Sequence, residues 1–120
     1  MNRTALVVDD SMLVRHTICR WLEAHGFSVQ TACNGAEALH VLDSVRPDLI
    51  ITDLQMPGMT GHELISQLKG DPRTAGIPIV VLSAKQTVLA GIRPGAEATI
   101  FKDIDILTQL QRTVSELVPA

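Results

Sequence analysis

Five polar side chains that can do chemistry stand where short apolar runs of the sequence end. They are Asp9, Asp10, Asp53, Ser83 and Lys102. If these ends meet, the three carboxylates repel one another, and a hard divalent cation is the direct way to offset their charge. Mg²⁺, with Mn²⁺ as the alternative, favours oxygen ligands and keeps positions that suit a phosphoryl oxygen. With Lys102 as a second cation, the set indicates a site that accepts and holds a phosphoryl group on Asp53.

Each of these residues also has a simpler explanation when taken alone. Asp9 and Asp10 precede a predicted helix and fit the role of caps. Asp53 fits a cap of the following turn, and Lys102 fits an ordinary surface lysine. Five such residues, each at the same end of its own apolar run, are much harder to explain as separate caps.

Strands and helices alternate along the predicted chain. Apolar runs predict five strands, at residues 5–8, 27–32, 49–52, 77–83 and 98–101. Helical spacing of apolar residues predicts helices between them, and Asn34 with Glu37 and Thr60 with Glu63 form capping pairs. A short helix is expected within residues 85–95, and the last helix over residues 104–117. The core stripe predicted for the last helix is Leu107, Leu110, Val114 and Leu117.

This alternation predicts an α/β fold formed by a single domain over residues 1–120. We expect a (βα)5 domain with helices on both faces of a five-stranded parallel sheet, and if this sheet is flavodoxin-like its strand order is 2-1-3-4-5. In such sheets, ligands bind at the carboxyl ends of the strands, near the switch in strand order. The five polar residues are therefore expected to converge on one rim of the sheet.

Composition argues against several classes of protein. The formal charge of −3 and the pI of about 5.7 do not indicate a basic surface that would bind nucleic acid. No apolar run is long enough to span a membrane, and two aspartates come too early for a signal peptide, so a cytoplasmic protein is expected. Cys19 and Cys33 fit small, partly buried apolar residues, with a disulfide or a metal pair as the alternatives.

The order of the motifs resembles the receiver domain of two-component response regulators, the CheY-like family. The stretches that carry the resemblance are "LVVDDS", "DLIITDLQMPGMTG", "IPIVVLSA", "GAEA" and "FK". They cover essentially the whole chain at about the family's spacing. The most specific signal is D-x-x-M-P-x-M-x-G, running from Asp53 to Gly61, when it follows the aspartate pair.

The resemblance implies a role for each residue of the predicted rim. Asp53 would be the phospho-acceptor. Asp10 would bind Mg²⁺ directly, Asp9 partly through water, and Gln55 through its backbone carbonyl. Ser83 would donate a hydrogen bond to the phosphoryl group, and Lys102 would pair with it. The domain would promote only its own phosphorylation and dephosphorylation, and so would not be an enzyme acting on other substrates.

The sequence departs from the family pattern in the part that transmits the signal. The aromatic residue usually found three positions before the lysine is Thr99, and the proline that usually follows the lysine is Asp103. Ser83 and Lys102 are also about three residues closer than usual, which shortens the helix expected within residues 85–95. The chemistry is expected to survive, but the usual coupling from Ser83 to an aromatic side chain is in doubt.

The implied partners are a histidine kinase or a histidine phosphotransfer protein, together with an unnamed downstream protein. The signal is expected to leave through the helix of residues 85–95, the fifth strand and the last helix, without nucleic acid or membrane insertion. Both a stand-alone regulator and part of a longer regulator or hybrid kinase fit the sequence.

Three other functions compete with that of a phospho-receiver. A haloacid-dehalogenase-type phosphatase needs a second aspartate where Gln55 stands. A flavodoxin-like nucleotide binder needs a glycine-rich loop where the chain has "VDDSML". A receiver-shaped scaffold that is never phosphorylated stays open because of the departures above.

Overall fold

Five parallel strands form one sheet in the computed structural model, in the order β2-β1-β3-β4-β5. The strands are β1 (Arg3–Val8), β2 (Phe27–Ala32), β3 (Leu49–Asp53), β4 (Ile79–Ser83) and β5 (Ala98–Phe101). The helices are α1 (Met12–Ala24), α2 (Gly35–Leu42), α3 (Gly61–Gly70) and, after β5, α4 (Ile106–Leu117). The predicted α/β class and strand order are confirmed.

The structure describes residues 3–56, 58–83, 97–102 and 105–118. The helix expected within residues 85–95 and the departure at Asp103 lie outside these ranges.

The sheet has helices on both faces because the side chains of its strands alternate between two apolar clusters. On one face, Leu6 and Val8 of β1 lie in a cluster with apolar residues of α2 and α3. On the other face, Ala5 and Val7 pack with Ile18 of α1 and with residues of α4. All residues of β3 and β4 are buried, as expected for strands covered on both sides.

Strand register brings the carboxyl ends of four strands to the same edge of the sheet. Val8 pairs with Thr52 across β1 and β3, and Asp53 pairs with Leu82 across β3 and β4. Ser83 pairs with Phe101 across β4 and β5. The residues that follow Val8 and Phe101 therefore emerge beside Asp53 and Ser83.

Side-chain caps fix where the helices begin, because each satisfies a backbone N–H that has no partner within its helix. Ser11 accepts a hydrogen bond from the Val14 N–H, and Asn34 accepts one from the Glu37 N–H. Thr60 and Glu63 form the complete reciprocal capping box that the sequence predicted.

The predicted core stripe of the last helix was partly wrong. The helix begins at Ile106, because the Asp105 carboxylate accepts hydrogen bonds from the Thr108 N–H at 3.2 Å and its hydroxyl at 2.7 Å. This start directs Ile106 toward the core beside the buried Leu110 and Val114, whereas Leu107 is 41% exposed.

The cysteine prediction was correct for one residue. Both thiols are free, so no disulfide joins them. Cys19 is half-buried as expected, but Cys33 is exposed in the turn that follows the edge strand β2.

Candidate functional site

Three carboxylates meet at the carboxyl edge of the sheet. Asp9 and Asp10 follow β1, and Asp53 ends β3. One oxygen from each carboxylate lies within 4.8 Å of the others. Asp9 is fully buried, Asp53 is 5% exposed and Asp10 is exposed to solvent. The cluster thus has a buried floor and one open side.

Lys102 provides the positive charge at this cluster. Its Nζ lies 2.9 Å from Asp53 Oδ2 and 3.2 Å from Asp9 Oδ2. Its backbone N–H donates to the Ser83 carbonyl at 3.0 Å, which fixes the end of β5 against β4. Burial lowers the pKa of Lys102, but the hydrogen bond and charge of Asp53 and the charge of Asp9 outweigh it, so the pKa is raised. The lysine is therefore held as a cation between the two carboxylates.

Asp9 shows that one lysine does not satisfy the cluster. Burial raises the pKa of this carboxyl, the Ser11 N–H opposes that shift, and the nearby Asp53 charge adds to it. Lys102 Nζ reaches Asp9 Oδ2 at 3.2 Å, but the same ammonium is shared with Asp53 at 2.9 Å. One positive charge thus faces two buried carboxylates and the exposed Asp10, which leaves net negative charge at the cluster. The all-oxygen donor set and this excess of negative charge fit a hard divalent cation.

The turn after β3 holds Asp53 in place. Asp53 Oδ1 accepts a hydrogen bond from the Gln55 N–H at 3.3 Å. Gly58 has a φ of +76°, in the left-handed region that favours glycine. At Gly61, a Cβ atom would lie 2.3 Å from the Asp53 carbonyl oxygen, so only glycine lets α3 begin this close to the end of β3.

Residues 5–114 match the sequence pattern that defines the response regulator receiver domain. This chain belongs to that family. The match covers nearly the whole chain and confirms the resemblance carried by the sequence motifs.

Individual relatives agree with this receiver domain assignment. Response regulator MprA of Mycobacterium tuberculosis is 40% identical over 100 residues, which are 81% of this chain and 43% of that protein. The receiver domain thus spans less than half the length of this curated relative.

Solved structures give the same fold. The chemotaxis response regulator CheY4 of Vibrio cholerae has a TM-score of 0.85 at 30% identity, over 98% of this chain and 100% of that one. The response regulator TrrA of Thermotoga maritima, solved in complex with Mg²⁺ and BeF, has a TM-score of 0.84 at 28% identity. That alignment covers 97% of this chain and 99% of TrrA.

The remaining predicted residues lie on the rim or next to it in the receiver domain. Ser83 is buried at the end of β4, one residue beyond the partner of Asp53. Gln55 is exposed, two residues after Asp53. Thr99 is half-buried on β5, where it pairs with Val81 and supplies no ring.

Sequence reasoning missed two contacts that hold the aspartate pair of the receiver domain. The Ser11 N–H donates to Asp9 Oδ1 at 2.8 Å, and Arg15 Nη1 donates to the Asp9 backbone carbonyl at 2.7 Å. The first contact could have been expected from the sequence, because a helix begins directly after the two aspartates. The second carries no sequence signal, because it depends on the direction in which α1 leaves the sheet.

Among the helices of the described ranges, none combines the length and apolar character that crossing a bilayer requires.

Proposed function

We propose that this receiver domain, over residues 1–120, accepts a phosphoryl group on Asp53 from a phosphohistidine of a histidine kinase or a histidine phosphotransfer protein. The observation that carries the proposal is the geometry around Asp53. The carboxylate stands at a strand end, in contact with Lys102 and within 4.8 Å of two further carboxylates. If the donor is a histidine kinase, we expect the domain to work in the cytoplasm.

The transfer is a substitution at phosphorus. A carboxylate oxygen of Asp53 forms the new P–O bond, and the P–N bond of the donor breaks, leaving its electron pair on the imidazole nitrogen. The product is an acyl phosphate. Lys102 offsets the charge of the phosphoryl oxygens, and Ser83 at the end of β4 supplies a hydrogen-bond donor.

Asp9, Asp10, Asp53 and the Gln55 carbonyl are the proposed ligands of Mg²⁺, with Mn²⁺ as the alternative. When bound, the ion supplies positive charge for the phosphoryl oxygens. Asp10 is the exposed carboxylate on the open side, so it would meet an incoming ion first.

The same geometry favours an acceptor over a phosphatase acting on other substrates. A phosphatase of the haloacid-dehalogenase type needs a general acid two residues after its nucleophile. Here that residue is Gln55, whose side chain does not titrate. The domain would therefore promote only the gain and loss of its own phosphoryl group.

The donor has to approach over the open side of the cluster, where two neighbouring helices begin. The exposed large apolar side chains of the described residues are Met12, Leu13 and Leu107, which we name the rim patch. Met12 and Leu13 open α1 directly after the aspartate pair, and Leu107 lies in the first turn of α4. An apolar surface of the donor protein would cover the patch and exclude water from the transfer.

Acetyl phosphate with MgCl₂, followed by peptide mapping by mass spectrometry, tests the assignment. We expect label on Asp53, none after chelation of the metal, and none in Asp53→Asn. Asp43→Asn, which removes an exposed carboxylate at the end of α2, is the matched control and should be labelled like the wild type. Full labelling of Asp53→Asn, or stable label on a serine or histidine, would contradict the proposal.

A further inference from the structure

Arg15 contacts the acidic cluster from α1, and the chemistry proposed above gives it no role. Its Nη1 donates to the backbone carbonyl of the fully buried Asp9 at 2.7 Å. A guanidinium bound to a carbonyl is a charge-assisted hydrogen bond, among the stronger ones in proteins. Arg15 itself is only half-buried, so the bond lies at the edge of the site and not in the core.

The Asp9 carbonyl belongs to the peptide group that joins Asp9 to Asp10. On the other side of Asp10, the next peptide is held by the Ser11 N–H, which donates to Asp9 Oδ1 at 2.8 Å. Within the described residues, no hydrogen bond or ion pair holds the Asp10 carboxylate itself. The direction of this side chain is therefore set by the two peptides that flank it.

We propose that Arg15 is a positioning residue for the acidic site. By fixing the Asp9–Asp10 peptide, it directs the exposed Asp10 carboxylate toward Asp9 and Asp53, where the three together bind a divalent cation. This inference rests on the proposed function, since it assigns Arg15 a part in the cation site of that function.

The place of Arg15 in its helix argues against a role in helix stability alone. It lies four residues after the Ser11 cap, near the amino end of α1. The partial positive charge of a helix amino end disfavours a cation there. The interaction that offsets this cost lies outside the helix, at the Asp9 carbonyl.

The affinity for Mg²⁺ is the direct measurement, by calorimetry or by NMR titration of MgCl₂ into the folded protein. Arg15→Met keeps the length of the side chain and removes the donor, and we expect about 10- to 100-fold weaker binding, the effect of losing one such charge-assisted hydrogen bond. Arg15→Lys keeps a cationic donor and should recover part of the affinity. Arg20→Met removes an exposed arginine from the same helix and should bind like the wild type.

A double-mutant cycle with Asp10→Asn separates positioning from a general loss of structure. If Arg15 acts through Asp10, Arg15→Met should have little further effect on Mg²⁺ affinity once the Asp10 carboxylate is gone. Additive losses would overturn the proposal, and so would equal Mg²⁺ affinity in wild type and Arg15→Met.

Two further outcomes are also decisive. If Arg15→Met does not fold, the Mg²⁺ affinities of Arg15→Lys and Arg20→Lys are compared instead. Equal Mg²⁺ affinities of these two variants would also overturn the role of Arg15. A wild-type protein that binds no Mg²⁺ would instead refute the cation site of the proposed function, which keeps the two failures distinct.

Discussion

Lys102 and the proposed divalent cation would act on the same charges at the rim. Lys102 Nζ already lies 2.9 Å from Asp53 and 3.2 Å from Asp9, so it offsets part of the negative charge that would attract the ion. It also repels the ion directly. In the proposed phosphorylated state, Lys102 would offset the further negative charge of the phosphoryl group.

Lys102→Met is expected to separate cation binding from phosphoryl transfer. The variant should bind Mg²⁺ at least as tightly as the wild type, because a competing positive charge is removed. Labelling by acetyl phosphate should slow by about 100- to 1,000-fold, the usual range for losing one group that stabilises transition-state charge.

Titration with MgCl₂ and a time course of labelling measure the two effects of this substitution. Arg112→Met, which removes an exposed cation of α4, is the control and should change neither. Loss of Mg²⁺ binding in Lys102→Met would show that the lysine supports the cation site.

At the scale of elements, the site depends on how tightly α3 approaches the end of β3. The Gly61 N–H donates to the Leu54 carbonyl at 2.8 Å, so the helix begins against the end of the strand that carries Asp53. A side chain at Gly61 would collide with backbone, which cannot move aside as the end of a flexible side chain can.

Gly61→Ala is expected to lower the free energy of unfolding by about 1–3 kcal/mol, the usual cost of overpacking, and to slow labelling of Asp53. Gly70→Ala is the matched control in the same helix, because open space surrounds its Cβ position. It should leave stability unchanged or raise it by up to about 1 kcal/mol. Urea unfolding and acetyl phosphate labelling measure both variants, and equal behaviour of the two would contradict the close approach.

If the rim patch docks the donor protein, changing it should affect transfer from a protein donor but not from acetyl phosphate. Leu13→Ser should slow transfer from a phosphorylated histidine phosphotransfer domain by roughly tenfold, as expected when a central apolar contact is lost. Labelling by acetyl phosphate, which needs no protein interface, should stay at the wild-type rate. Ala36→Ser on the exposed side of α2 is the control. A similar slowing with both donors would show that Leu13 affects the site itself and not the docking of a protein.

At the scale of the whole molecule, Glu97 joins three elements at the edge of the sheet opposite the acidic site. Its Oε2 accepts a hydrogen bond from the Ile79 N–H at 2.6 Å, and its N–H donates to the Ile79 carbonyl at 2.9 Å. Its other carboxylate oxygen pairs with Lys69 of α3. Burial raises the pKa of Glu97, but the hydrogen bonds from Lys69 and Ile79 outweigh it and hold the pKa below the usual value of 4.5.

Because the folded pKa of Glu97 is lowered, its ionised form stabilises the fold above pH 4.5, and this contribution is lost as the pH falls through the folded pKa. The difference in unfolding free energy between wild type and Glu97→Gln should therefore be largest near neutral pH and shrink on acidification. Urea unfolding across this range measures it. Glu116→Gln, at an exposed position of α4, is the control substitution. If the difference in unfolding free energy between wild type and Glu97→Gln does not change with pH, the charge of Glu97 does not contribute to stability.

The amino-acid sequence alone predicted the class of the fold and the residues of the candidate site, and its resemblance to receiver domains implied the order of the strands. Apolar runs and capping pairs such as Thr60 with Glu63 are local, so their physical consequences can be read along the chain. The rule that parallel strands present ligands at their carboxyl ends then placed Asp9, Asp10, Asp53, Ser83 and Lys102 at one rim.

Only the tertiary structure decided which groups touch. Lys102 reaches both Asp9 and Asp53 because β1, β3, β4 and β5 end in register, which depends on pairing between distant segments. The rotation of α4 was decided by its Asp105 cap together with packing, so Ile106 is directed to the core and Leu107 to solvent. Arg15 meets the Asp9 carbonyl because packing of α1 on the sheet sets the path of the helix, and no local pattern in the sequence encodes that path.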